Sequence, residues 1–234
     1  EIKKDYENFQ FHQAFQKIHN FCANDLGGFY LDILKDRLYT AKRDSDARRS
    51  SQTALSNILQ ALLRWISPVL SFTAEEAWLL MEEDEDSVHL LEWFEDWNDF
   101  GELKISDDEW NKVLEIRSEV NKHIEETRNQ EIIGSALEAD LELCCDKSLK
   151  QLLDKFEDEL RFIFITSDAK VSLSEEGNST NIEGLKVKVV KTHNQKCVRC
   201  WHSRPDVGQI KGHESICGRC YENVKGKGEV RLFA

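Results

Sequence analysis

The sequence predicts a mainly α-helical fold: an antiparallel-type helical bundle, then a small α/β unit, then a ribbon built on four cysteines. Three observations carry that reading. Apolar residues recur at three- and four-residue spacing through most of the first 130 positions, the pattern of helices that bury one face. Between Leu137 and Leu143 the period shortens to two, which is a half-buried strand. Near the end stand Cys197-Val-Arg-Cys200 and Cys217-Gly-Arg-Cys220, with sixteen residues between them. The expected divisions are 1–130 for the bundle, 131–192 for the α/β unit and 193–234 for the ribbon. Two Pro and eleven Gly argue against a turn-rich all-β fold.

In order along the chain, Phe11, Phe15, Ile18 and Cys22 form an apolar stripe, with Cys22 read as a small core residue rather than a nucleophile. Gly27-Gly28 is expected to break this helix before Phe29 to Tyr39 resumes the pattern. A third helix over 44–66 presents Ala54, Leu55, Ile58, Leu62 and Trp65 inward and is stopped by Pro68. Thr73-Ala-Glu-Glu76 reads as a capping box opening a fourth helix through Trp78 to Met81. The acidic run Glu82 to Asp86 reads as a solvated turn, and Trp93, Phe94, Trp97 and Phe100 as a packed connection. Ser106-x-x-Glu109 offers a second capping box for a long helix from Trp110 to about Asn129, broken at Ile132-Ile133-Gly134.

Beyond the first strand, Cys144-Cys145 read as structural free thiols. A short amphipathic helix follows over Leu149 to Leu160, then the apolar run Phe162 to Ile165 and a strand over Ala169 to Leu173. Ser174 to Glu183 is polar and turn-rich, hence a flexible loop. Leu185 to Val190 is a third strand, with lysines on one face, leading into the cysteine motifs.

Four thiolates in two Cys-x-x-Cys knuckles are what a closed tetrahedral metal site needs. Zinc suits Cys197, Cys200, Cys217 and Cys220 best; an iron–sulfur centre or another soft metal uses the same ligands. Two disulfides or four unrelated core cysteines are the competing readings, and His202 and His213 are the substitute ligands. Gly218 fits a turn that requires positive φ. A Cys₄ shell leaves no open coordination position, so the expected role is one structural ion.

Forty per cent hydrophobic residues, with twelve Phe and six Trp, imply a packed core despite a net charge of −13. Seven cysteines, four in a metal pattern, point to a reducing compartment. The charged start Glu1-Ile2-Lys3-Lys4-Asp5 is followed by no apolar leader and no run is long enough to span a membrane, so a cytoplasmic protein is expected. The charge is uneven. Residues 185–234 hold eleven Lys/Arg against four Asp/Glu, and residues 1–184 twenty against forty. A basic metal-binding tail on an acidic body suggests a polyanionic partner. Solvation of helix faces by charges of both signs accounts for most of the acidic body.

Arg64-Trp-Ile-Ser-Pro-Val-Leu-Ser-Phe-Thr-Ala-Glu-Glu-Ala-Trp78 resembles the helix–turn–helix signature in the anticodon-binding bundle of class I aminoacyl-tRNA synthetases for isoleucine, valine and leucine. Phe29 to Tyr39 resembles an earlier helix of that bundle. Val120-Asn-Lys and Ile133-Gly-Ser-Ala-Leu-Glu138 resemble the helix-to-strand junction after it. The two knuckles, Trp201 and the final Phe-Ala are similar to the zinc segment of the bacterial isoleucyl family. The resemblance covers nearly the whole chain. It implies a monomeric part of a longer synthetase, binding the anticodon stem-loop of tRNA(Ile), next to the rest of the synthetase chain and away from membranes.

The signatures His-Ile-Gly-His and Lys-Met-Ser-Lys-Ser are absent, and the sole methionine is Met81. By the same resemblance, ATP and isoleucine belong to a catalytic domain outside these residues, and the chain alone binds without catalysing. Lys35, Arg37, Lys42, Arg43, Arg48, Arg199, Arg204 and Arg219 are the candidates for RNA phosphates, each with a surface salt bridge as the bland alternative. Trp201 is the candidate for base stacking, with packing against the strand around Leu185 to Val190 as its alternative. Two other function classes compete. The knuckles also resemble the zinc module of formamidopyrimidine-DNA glycosylases, which leaves the bundle unexplained. A stand-alone zinc-ribbon adaptor for proteins would suit the acidic body.

Overall fold

The computed structural model describes residues 1–81, 87–97 and 103–234. The acidic run Glu82 to Asp86 and Phe100 lie outside the described residues. Contacts divide the chain into two compact units, Glu1–Leu34 with Arg48–Gly101, and Lys35–Ala47 with Glu102–Ala234. Among the described residues no helix is long and apolar enough to cross a membrane.

The first unit is helical. Helices α1 (Ile2–Glu7) and α2 (Phe11–Asn20) lead into a π-helical stretch, Phe21–Tyr30, which runs on into α3 (Leu31–Thr40). The expected break at Gly27-Gly28 is therefore absent. In the wider π turn residue i approaches carbonyl i−5, and an added Cβ at Gly27 would stand 3.1 Å from the Cys22 carbonyl oxygen. The glycines let the turn widen without interrupting it. The stripe of Phe11, Phe15, Ile18 and Cys22 is not the buried face. Of that stripe only Ile18 is buried, together with Ala14, whereas both Phe and Cys22 are exposed. Phe11 instead packs beside Tyr6 and Phe9, with centroids 6.1 and 5.9 Å away.

Helix α4 spans Asp46–Ile66 and ends before Pro68 as its φ restriction requires. Its buried positions are Ala47, Ser51, Ala61 and Leu63, and the expected inward set (Ala54, Leu55, Ile58, Leu62, Trp65) is only half-buried. Helix α5 (Ser71–Leu79) starts two residues before the expected capping box and has no side-chain cap. The amides of Val69 and Leu70 both bond the Ile66 carbonyl, so the Pro68 turn feeds straight into the helix. Glu75 accepts from Ser87 Oγ and the Val88 amide at 2.9 and 3.0 Å. Leu63, Ala74, Trp78 and Val88 form a small core. Above it, Trp65 stacks on Trp93 at 6.0 Å and its carbonyl accepts from the Tyr6 hydroxyl at 2.6 Å.

The second unit is built on α6 (Asp107–Asn129), whose start carries the expected reciprocal capping box. Ser106 Oγ accepts from the Glu109 amide at 3.2 Å, and Glu109 accepts from the Ser106 amide at 3.1 Å. Val113, Ile116, Val120 and Ile124 are its buried stripe. The sheet has strands β1 (Ala139–Cys145), β2 (Asp168–Ser172), β3 (Asn178–Ser179) and β4 (Leu185–Lys191), in the order β2-β1-β4-β3. β2 is parallel to β1, and β4 is antiparallel to both β1 and β3.

Helix α7 (Lys147–Leu153) does not extend to Leu160. A 3₁₀ segment follows it, Glu157 sits at φ 48°, and a separate helix α8 (Leu160–Phe164) begins. The apolar run from Phe162 to Phe164 is thus buried helix, closed by Ile165 at φ 56°. Phe156, Leu141, Leu143, Ile163, Phe164 and Val187 fill the core. Within the polar loop before β4, Asn181 is anchored: its amide donates to Glu119 of α6 at 3.0 Å. Cys144 and Cys145 are buried free thiols, as expected.

The Ser106–Glu109 box satisfies two of the amides that a helix start leaves open. Ser106→Ala is expected to lower stability by about 1 kcal/mol, read as a lower urea midpoint at unchanged m-value.

Candidate metal centre

The first knuckle is the tip of a two-stranded ribbon, β5 (Gln195–Lys196) antiparallel to β6 (Ser203–Arg204). The Cys197 amide donates to the His202 carbonyl and the Trp201 amide to the Cys197 carbonyl, both at 2.9 Å, closing a tight loop around Cys200. The second knuckle differs, because Cys217 is the N-cap of helix α9 (Gly218–Val224) and Cys220 lies in its first turn. Gly218 has no positive φ. It is small for another reason: Asp206 Oδ2 accepts from its amide at 2.6 Å and would stand 2.7 Å from an added Cβ. Asp206 thereby caps the helix start that the Cys217 thiol, turned to the metal site, does not.

The four sulfurs lie within 4.8 Å of one another and all four cysteines are buried. Cys200 Sγ and Cys217 Sγ are 3.7 Å apart. A tetrahedron with zinc–sulfur bonds of about 2.3 Å has edges of about 3.8 Å, whereas a disulfide would need about 2.05 Å. The hydrogen bonds among the four thiols couple their ionisation, lowering it for Cys200 and raising it for Cys217 and Cys220. The donor set fits one structural zinc ion. Neither histidine belongs to it. His202 directs Nδ1 to the Cys200 carbonyl at 3.1 Å, and His213 packs against Tyr221.

Around the site the second unit gathers charge. Arg219 grips Asp36 with two bonds, Nη1 to Oδ2 at 2.7 Å and Nη2 to Oδ1 at 2.8 Å, and also meets Glu229 Oε1 at 3.2 Å. Arg231 reaches the same Asp36 oxygen. Burial pushes the Asp36 carboxyl up, but the Arg219 hydrogen bonds and charge, with Arg231, outweigh it and hold the group at about 2. Arg199 donates Nη1 to the Thr40 carbonyl at 2.5 Å and Nη2 to the Tyr39 carbonyl at 3.2 Å.

The expected RNA-binding residues therefore fall into different settings. Arg199 and Arg219 converge on the segment around Asp36 and Thr40. Lys42 Nζ bonds the Gly226 carbonyl at 2.9 Å. Arg204 lies apart, donating to the Ser167 carbonyl at 3.0 Å beside Asp168. Lys35 and Arg43 are exposed, and Arg37 and Arg48 half-buried. Trp201 is 61% exposed, at φ 68°, with Lys196 Nζ 5.6 Å from its ring centroid. Asp36, Glu229 and Arg231 escaped the sequence reading, because lone charges on amphipathic stretches carry no spacing signal. Only the arginine before the second cysteine of each knuckle hinted at a shared role.

Two outcomes follow. Elemental analysis is expected to find one zinc per chain, lost in Cys217→Ser, which leaves three thiolates. At neutral pH, Asp36→Asn is expected to cost on the order of 2 kcal/mol, since the native carboxyl lies about two units below the unfolded value. A depressed carboxyl stabilises above its unfolded pKa of about 3.9 and ceases to as the pH falls through its folded value. The urea-unfolding gap between wild type and Asp36→Asn should stay open at pH 7 and pH 5, and close from about pH 4 to about pH 2.

Comparison with known proteins agrees with this architecture. Residues 1–143 match the family described as the anticodon-binding domain of tRNA ligase, and residues 194–223 match a zinc finger found in FPG and IleRS. The whole chain is similar to isoleucine–tRNA ligases. It is 48% identical over 240 residues to that of Shewanella amazonensis and 44% over 248 residues to that of Alkalilimnicola ehrlichii, covering 26% of each. It is 46% identical over 235 residues to that of Acinetobacter baylyi, covering 25%. The chain thus spans about a quarter of the length of these relatives. Since residues 1–143, more than half of its length, match that family, the chain belongs to the anticodon-binding domain family of tRNA ligases.

Proposed function

We propose that the chain is the C-terminal, tRNA-binding part of an isoleucine–tRNA ligase and holds the anticodon stem-loop of tRNA(Ile). The observation that carries this is one of co-occurrence. An anticodon-binding domain and a zinc finger of the kind named for isoleucyl enzymes lie in one chain, which is similar along its full length to isoleucine–tRNA ligases. In this reading the protein acts as a monomer in the cytoplasm, and the ligation of isoleucine with ATP belongs to the remainder of the longer enzyme. The DNA-glycosylase and adaptor readings are not favoured, because neither accounts for residues 1–143. The functional divisions 1–130, 131–192 and 193–234 belong to the same proposal.

RNA loops are read by stacking unpaired bases on aromatic faces and by holding the backbone with cations. Trp201 suits the first task. A non-glycine residue in the left-handed region costs of order 1 kcal/mol or more, and such strain gathers where a side chain is needed in one orientation. The indole it presents is open to solvent on a metal-braced loop, with the Lys196 ammonium beside it for a neighbouring phosphate.

Trp201→Ala is expected to weaken binding of tRNA(Ile) by roughly 1–3 kcal/mol, the range for one base–aromatic stack, with zinc content unchanged. Trp201→Phe should recover part of the loss. Equal affinity of wild type and Trp201→Ala at matched salt and full zinc would refute the stack.

A further inference from the structure

Each knuckle carries an arginine immediately before its second cysteine, Arg199 before Cys200 and Arg219 before Cys220. Both reach the end of α3, some 160 to 180 residues earlier in the chain. The last carbonyls of a helix have no partner within it. At α3, the Arg37 carbonyl takes the Ala41 amide, and the Tyr39 and Thr40 carbonyls take the two Nη atoms of Arg199. A guanidinium there also meets the negative end of the helix dipole.

One turn back, Arg219 holds Asp36 by a two-bond fork and touches Thr40 Oγ1 at 3.3 Å, while that hydroxyl donates to the Asp36 carbonyl at 2.7 Å. Arg199 Nη1 also lies 3.9 Å from Cys220 Sγ, a ligand of the opposite knuckle. The metal ligands thus fix the backbone on either side of both arginines, and one guanidinium bridges the sulfur cluster to the helix end. Beyond that end the chain turns through Lys42, whose carbonyl takes the Ser45 amide and hydroxyl at 3.1 and 2.9 Å. At the apex stands Arg43, exposed and without a partner among the described residues.

We propose that Arg199 and Arg219 are positioning residues, a metal-held clamp on the segment Lys35–Ala47 that presents Arg43 to the RNA backbone. The RNA part of this rests on the tRNA-binding reading above; the clamp itself does not. The arginines expected to touch RNA from the ribbon act instead on the chain's own helix. The structural ion governs a cation more than 150 residues away in sequence, and Arg–carbonyl and Arg–carboxylate bonds transmit its effect.

Two measurements on the intact, zinc-loaded chain test this. Hydrogen exchange of the amides of residues 38–45 should be at least about tenfold faster in Arg199→Ala than in wild type, at equal zinc content. Unchanged protection would overturn the clamp. Should Arg199→Ala lose zinc, Arg199→Lys decides in its place, because an ammonium cannot span both carbonyls as the fork does. There too, wild-type protection overturns the proposal and faster exchange supports it.

The second measurement is a double-mutant cycle on tRNA(Ile) affinity with Arg43→Ala and Arg199→Ala. Arg43→Ala should weaken binding and reduce the salt slope by about one in wild type, and do clearly less in the Arg199→Ala background. Strictly additive losses would make Arg199 an independent RNA contact and end its positioning role. If the wild-type chain bound no tRNA, the tRNA-binding reading would fall with the presentation of Arg43, and the exchange experiment would still decide the clamp.

Discussion

The Asp36 carboxylate is where the charges of the second unit converge. It takes two bonds from Arg219 and one from Arg231, and Glu229 accepts from Arg219 at 3.2 Å and faces Arg231 at 4.0 Å. All four side chains are largely withdrawn from water. Bringing two cations and two anions together inside a protein repays their desolvation only when the geometry is good and the remaining donors are occupied. Here the two-bond Arg219–Asp36 fork supplies the geometry. The Phe162 ring supplies further contacts, with the Arg231, Arg161 and Arg219 guanidinium carbons 3.6, 4.6 and 4.9 Å from its centroid. Asp36 belongs to a helix near the start of the chain, Phe162 to the α/β unit, Arg219 to the metal helix and Glu229 to the closing segment. Removing the one carboxylate would leave two buried guanidiniums competing for Glu229.

The metal ribbon depends on that network because it has almost no core of its own. Its buried cluster consists of the four cysteines and Val207, with Ile216 partly covered. So small an apolar set cannot offset the entropy of ordering some thirty residues, which is why segments of this size rely on a metal or on cross-links. The ion closes the knuckles, and the knuckles orient Arg199 and Arg219. The chain's final residues are held in a complementary way: the amides of Leu232, Phe233 and Ala234 all donate to the Glu159 carboxylate. Carboxylates from the body of the unit thus grip the ribbon side chains at one place and the closing backbone at another.

How much of this was legible in the sequence depends on the kind of signal each feature leaves. The Cys-x-x-Cys pairs, the Ser106–Glu109 box and the two-residue period of β1 are local patterns with one dominant physical solution, and all three formed, although Leu137 lies in a 3₁₀ turn (Ala136–Glu138) and the strand runs on to Cys145. Gly27-Gly28 misled because glycine permits a widened π turn as readily as a break. Thr73 and Glu76 had the right types for a cap, but the Pro68 turn had already begun the helix. Gly218 was right in identity and wrong in reason, since the approach of Asp206 decides it rather than a positive φ. The Asp36 network left no trace, because partners separated by more than 180 residues share no period or motif.

The same network changes what the basic tail means. Read as a sum, residues 185–234 hold eleven cations and look like a broad electrostatic footprint. Arg199, Arg204, Arg219 and Arg231 are all engaged within the chain, and Lys188 pairs with Glu142 at 2.9 Å. Every arginine of the tail thus has a partner within the chain. Lys191, Lys196, Lys211, Lys225 and Lys227 remain exposed, joined by Arg43 from the clamped segment. Lysines are mobile point charges that hold a phosphate without fixing its orientation, whereas a guanidinium fork does fix it. In the tRNA-binding reading proposed above, the exposed indole of Trp201 would take a base, and Lys196 beside it with the other exposed lysines would add non-directional attraction for the backbone. A directional contact from a guanidinium would then fall to an arginine outside the tail, and on the clamp proposed above that residue is Arg43, held in place through Arg199 and the metal site.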